Sequence, residues 1–155
     1  MRIHYGFLVL VFWLCACPGL HADSAKIMKV LPHHLDLQGR HSLSPSLYER
    51  DAYQAFLREN PEKASGLQFD INWKAKRRRA SAGPLRLRIE LRTSARDLAN
   101  PLVVESDVRP NRFFSTWSSL RVPEKDYKSF GQLIAWRATL WEGEVLLAEE
   151  RSFLW

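Results

Sequence analysis

The sequence predicts an all-β protein, an antiparallel β-sandwich of about seven strands with one N-terminal amphipathic helix packed on it. Three observations carry this expectation. Apolar residues recur at every second position over 67–73 and again over 85–91, the period of strands with one buried and one wet face. Turn residues punctuate the chain between the short apolar runs. Strands do not alternate with helices, so nothing calls for a parallel sheet.

The 155 residues, 46% hydrophobic and 26% charged, have the balance of one globular domain and exclude a disordered chain. The formal charge is +6, but both signs are spread along the chain, so basicity alone names no partner.

Arg2 and the apolar run from Phe7 to Cys17, broken by Pro18-Gly19, have the layout of a signal peptide. A membrane-spanning helix takes about 20 apolar residues, so no transmembrane span is expected in the mature chain. Two processing readings stand. Leu20-His21-Ala22 places the cut before Asp23, giving a leader of residues 1–22 and a single domain over 23–155. Leu14-Cys15-Ala16-Cys17 is similar to a bacterial lipoprotein box with Cys17 as the lipid-bearing residue, although Cys15 and Pro18 depart from the common pattern. Cleavage after Ala22 removes both cysteines, so the domain is expected to hold itself together by its core, without disulfides. A periplasmic or secreted location is expected from the first reading, a lipid-anchored one from the second.

Val30 to Leu37 reads as the first strand, ended by Gly39. Ser44-Pro45 or a Ser46/Glu49 capping box then opens a helix over about 46–60, stopped by Asn60-Pro61. Tyr48, Ala52, Tyr53, Ala55, Phe56 and Leu57 share its broad apolar side, with Arg50, Asp51, Gln54 and Arg58 opposite. Leu67, Phe69, Ile71 and Trp73 mark the next strand; Leu85, Leu87, Ile89 and Leu91 mark the one after, and the two are expected to pair as a hairpin. Further strands follow at Leu102 to Ser106, Phe113 to Val122 and Leu133 to Trp141. The last turns through Glu142-Gly143 into Val145 to Leu154. The sum resembles immunoglobulin-like or fibronectin-III-like domains in architecture alone: there is no cysteine pair in the domain, and the tryptophan spacing is not diagnostic.

Two features are candidate binding sites. Lys74, Lys76, Arg77, Arg78 and Arg79 lie at the expected hairpin tip and create a positive potential suited to anionic lipid or polymer, with strong salt dependence. No aromatic residues interleave them, so nucleic acid is not an expected partner. The plainer reading is a solvated loop that discourages edge pairing. Trp117, Trp141 and Trp155 make the later strands apolar on both faces, which fits a platform for a protein or a sugar ring. The plainer reading here is that the helix covers that outer face.

No cofactor, metal site or catalytic residue is indicated. His33 and His34 are neighbours in a strand and point to opposite faces; His34 and Asp36 share a face with His41 nearby, short of a ligand set. No nucleophile elbow or metalloprotease motif occurs, and Glu149 and Glu150 face apart. The expected function is an exported, non-catalytic binding module of the bacterial envelope, with an unidentified protein or anionic polymer as partner. The alternatives are a binder of anionic polymer or membrane surface through residues 74–79, and a small exported hydrolase needing carboxylates or histidines to converge in a cleft.

Overall fold

The computed structural model describes residues 25–76, 84–96, 99–111 and 113–155. The expected leader over residues 1–22, with Cys17, and Arg77, Arg78 and Arg79 therefore lie outside the described residues. Among the described residues there are seven strands: β1 (Ala25–Asp36), β2 (Ala64–Ala75), β3 (Leu85–Thr93), β4 (Leu102–Val108), β5 (Thr116–Arg121), β6 (Leu133–Glu142) and β7 (Val145–Arg151). They form two antiparallel sheets, sheet A in the order β1-β2-β5 and sheet B in the order β4-β3-β6-β7. Helix α1 (Leu47–Glu59) and a short 3-10 turn (Pro61–Lys63) join β1 to β2, and α2 (Glu124–Tyr127) joins β5 to β6.

The period-two pattern supplies the core. Leu67, Phe69, Ile71 and Trp73 of β2 face Leu87, Ile89 and Leu91 of β3 and Ala138 and Leu140 of β6 in one buried cluster. The β2–β3 hairpin does not form. These strands sit in opposite sheets, with β2 paired to β1 and β5, and β3 to β4 and β6. Alternation says which face is buried but not which neighbour a strand pairs with. The connection from Ala75 to Leu85, at about 3.3 Å per residue, easily crosses the roughly 10 Å between packed sheets. The β6–β7 hairpin does form. Glu142 pairs with Val145, and Gly143 takes φ +56°, as a type II′ turn requires at its first central residue.

Strand limits move for identifiable reasons. β1 starts at Ala25, because a bulge between Ile27 and Lys29 breaks the alternation that would have revealed its first turn of pairing. β5 starts at Thr116 rather than Phe113, because the amides of Phe113 and Phe114 bond to the Asn111 side chain at 3.0 and 3.3 Å and never join the ladder.

Helix α1 does not cover the outer face of the last strands. It lies beside β1, and only Leu57 of its apolar side is buried, while Leu47, Tyr48 and Phe56 stay exposed. Besides Leu57 and the Tyr53 hydroxyl, which donates to Asp36, its attachment is made by Gln54, on the side expected to face water. The His34 amide donates to Gln54 Oε1 at 2.7 Å, and Gln54 Nε2 donates to the carbonyls of His34 (2.9 Å) and His41 (2.8 Å). One side-chain amide thus satisfies a donor and an acceptor on the outer edge of β1, the groups an edge strand otherwise offers to another chain. Neither expected cap closes: Ser46 is the N-cap, but its hydroxyl makes no cap bond, and Ser44 Oγ instead accepts from the Ser46 amide.

Candidate binding surface

The sandwich has two ends. One end gathers the start of β1, the end of β2, the β4–β5 loop and the β6–β7 turn; the other carries α1 and α2. At the first end the β4–β5 loop is built on Asn111, whose side chain accepts the amides of Phe113 and Phe114 and whose own amide donates to Thr116 Oγ1 at 3.1 Å. This side-chain turn satisfies the backbone without folding the rings inward. Phe113 is 69% exposed, Phe114 71% and Trp117, just inside β5, 54%.

Lysines adjoin these rings on the outer face of sheet A. Trp117 pairs with Asn72, which pairs with Lys29; in the next row Lys26 pairs with Lys74. Cross-strand and diagonal neighbours on one face lie within reach of long side chains, and Lys26, Lys29, Lys74 and Lys76 are all exposed. The acidic residues of this end, Asp107, Glu142 and Glu144, belong to sheet B and its turn. Of the basic cluster read from sequence, Lys74 lies within β2, one row from Trp117, and Lys76 just past the end of that strand; with β2 and β3 in opposite sheets, neither is on a hairpin tip.

Further along the same face, Asp70 is the hub of a polar group. Ser119 Oγ donates to Asp70 Oδ1 at 2.5 Å, Gln68 Nε2 donates to the same oxygen at 2.8 Å, and Arg121 Nε donates to Gln68 Oε1 at 2.6 Å. His33 Nε2 stands 3.4 Å from Asp70 Oδ2, and the His33 and His41 rings are 4.9 Å apart. Burial lowers the His33 pKa against the pull of Asp70, and His41 and Arg50 lower it further. Here carboxylate, imidazole and hydroxyl meet, as a hydrolase site would require, but in the wrong order. The serine hydroxyl donates to the carboxylate, whereas nucleophile activation needs it bonded to the base. His34 lies apart, its pKa lowered by burial and then by Arg58, and the Asp36 carboxylate bonds to Arg40 and Tyr53. Among the described residues no group of three His, Cys, Asp or Glu is placed to hold a metal.

Trp141 and Trp155 lie on the outer face of sheet B, separate from Trp117. Their cover is arginine. Arg92 stacks over Trp155 at 4.1 Å and Arg137 at 5.0 Å; Arg88 lies over Trp141 at 5.9 Å. Acidic residues interleave: Glu105 pairs with Arg88 at 3.0 Å and Glu90 with Arg137 at 2.6 Å. Arg92 Nε and Arg137 Nε have no hydrogen-bond partner, and the indole face takes that place as a cation–π acceptor. Arg88 and Arg92 of β3, which read in sequence as a plain wet face, are thus, together with Arg137 of β6, the covering layer that the helix does not supply. Trp155→Ala is expected to cost about 1–2 kcal/mol, read by urea unfolding. A loss within error would show that the stack contributes nothing to stability.

A cleft of about 400 Å³ opens at the other end, lined by Leu37, Ser65, Glu124, Tyr127 and Lys128 among others. Glu124 accepts an ion pair from Lys128 at 2.8 Å, and burial raises the Tyr127 pKa. Among the described lining residues there is no imidazole and no second carboxylate. Comparison with known protein families, curated proteins and solved structures finds no match for this chain. Fold and surface together define the class: a two-sheet antiparallel β-sandwich carrying an exposed aromatic and cationic end.

Proposed function

We propose that this chain is an exported, non-catalytic binding module of the cell envelope, with a fibronectin-III-like sandwich whose ligand-facing surface is the end formed by Phe113, Phe114 and Trp117. The strand order supports the finer fold reading. The fourth strand pairs in the sheet of the third, sixth and seventh, whereas constant-type immunoglobulin domains keep it with the first, second and fifth.

The observation that carries the functional reading is the Asn111 turn, which spends three hydrogen bonds holding a loop whose two phenylalanines face solvent. Exposed aromatic clusters are uncommon on monomeric domains unless they are used. The two other outer tryptophans are already stacked under arginine, whereas Phe114 and Trp117 are 71% and 54% exposed. A photoreactive amino acid in place of Phe114 is expected to form covalent adducts with an envelope component in living cells, while the same residue in place of Lys125, at the opposite end, forms none. No adduct at position 114, with the protein folded and exported, would overturn the reading.

A further inference from the structure

We propose that the Trp117 end is a membrane-apposed surface that binds anionic phospholipid, with Phe114 and Trp117 entering the interface and Lys26, Lys29, Lys74 and Lys76 meeting lipid phosphates. This rests on the binding-module reading and names its ligand. Three observations converge on it.

The first is chemical. Trp and Phe are the side chains that settle at the level of lipid headgroups, and flanking lysines add attraction to anionic lipid. Here exposed rings sit one row from a pair of facing lysines, Lys26 and Lys74, and the sequence continues from Lys76 into Arg77, Arg78 and Arg79. The second is charge distribution. The opposite end mixes signs in α1 and α2, with Glu49, Asp51, Glu59, Glu124 and Asp126 among Arg50, Arg58, Lys125 and Lys128. On the aromatic face the acid beside Trp117's row, Asp70, is held by Ser119, Gln68 and His33.

The third is where the chain enters. β1 begins at Ala25, opposite Ala75, so the apolar run from Phe7 to Cys17 joins the domain at this same end. The seven residues 18–24 span at most about 25 Å. Any chain held by that run or by a lipid on Cys17 is therefore tethered at this end, and not at the α1 end. Once released at Asp23, the domain retains the same rings and cations.

The test uses residues 23–155, which contain every described strand and core residue but neither the apolar run nor Cys17, so any binding comes from the surface. Sedimentation with vesicles of phosphatidylethanolamine and phosphatidylglycerol is expected to carry the protein down, with blue-shifted tryptophan emission. Vesicles of phosphatidylcholine alone are expected to carry down much less, and raised salt to weaken the anionic binding. Phe114→Ser with Trp117→Ser should lower the partition coefficient about tenfold or more, and Lys74→Gln with Lys76→Gln about tenfold, with a shallower salt dependence. Lys125→Gln with Lys128→Gln should leave it unchanged. Circular dichroism and melting temperature establish that each variant is folded; these positions are exposed, so folding should be retained. Binding that survives both paired substitutions, or no binding to anionic vesicles, overturns the proposal. A protein or glycan adduct at position 114 in cells, with no vesicle binding, removes the membrane assignment and leaves the wider reading standing. Absence of any adduct removes both.

Discussion

Replacing Trp73 with alanine is expected to remove about 3–5 kcal/mol of unfolding free energy, the largest loss of any single substitution considered. Trp73 is completely buried at the centre of the cluster between the sheets. Its indole contributes both apolar area and a donor: Nε1 donates to Ser118 Oγ across β2 and β5 at 3.0 Å. Alanine would open a cavity that the two sheets cannot close without losing contacts elsewhere, and would leave the half-buried Ser118 hydroxyl without its donor. Domains of this size are stable by only about 5–15 kcal/mol, so the variant should unfold at far lower denaturant. Trp73→Phe keeps much of the volume and loses the hydrogen bond, and is expected to cost about 1–2 kcal/mol. Urea titration of both checks the division. An alanine variant within 1 kcal/mol of the parent, on the roughly 3–5 kcal/mol expected for a buried tryptophan, would contradict the placement of Trp73 in the core.

Asp36→Asn is expected to cost about 2–3 kcal/mol near neutral pH and to flatten the acid limb of the stability curve. Burial pushes the Asp36 carboxyl upward, but bonds from the Arg40 amide, the Tyr53 hydroxyl, the Arg40 guanidinium and the Gln38 amide outweigh it and bring the pKa from 3.8 to about 2. The distances are 2.8 Å from the Arg40 amide, 2.9 Å from Tyr53, 2.9 Å from Arg40 Nε and 2.9 Å from the Gln38 amide. The carboxylate thereby ties the end of β1 to its turn and to α1. Because the folded pKa is depressed, the stabilisation is present above the unfolded value of 3.8 and fades as pH falls through about 2. The parent should therefore lose about 1–2 kcal/mol more than the Asn variant between roughly pH 5 and pH 2. Asparagine turns one acceptor into a donor facing two other donors, so the neutral-pH loss should exceed that of a surface substitution. Parallel acid limbs for the two proteins would show that the Asp36 charge is not what holds this corner.

The inward-facing rows of β2, β3 and β6 were legible because burial on one side leaves a period of two in the residues themselves, from Phe69 through Leu91 to Leu140. The β6–β7 hairpin was legible because Glu142-Gly143 carries its turn chemistry locally. Two signals were hidden. Gln54 looked like an outward helix residue, since nothing local shows that an edge strand lies beside it. Phe113 and Phe114 looked like strand residues because aromatic rings favour strands; Asn111, two residues before Phe113, was the available clue to a side-chain turn. Trp117 and Lys74 were both singled out from sequence, but as separate features, 43 positions apart.

Periodicity and turn residues act over a few neighbours, and so the residues alone specified the strands, their buried faces and the last hairpin. Which strand pairs with which is set by contacts between distant segments, where many pairings bury the same faces. That choice put β2 and β3 in opposite sheets, laid α1 against an edge, covered Trp141 and Trp155 with arginines, and brought Lys26, Lys74 and Trp117 onto one outward surface.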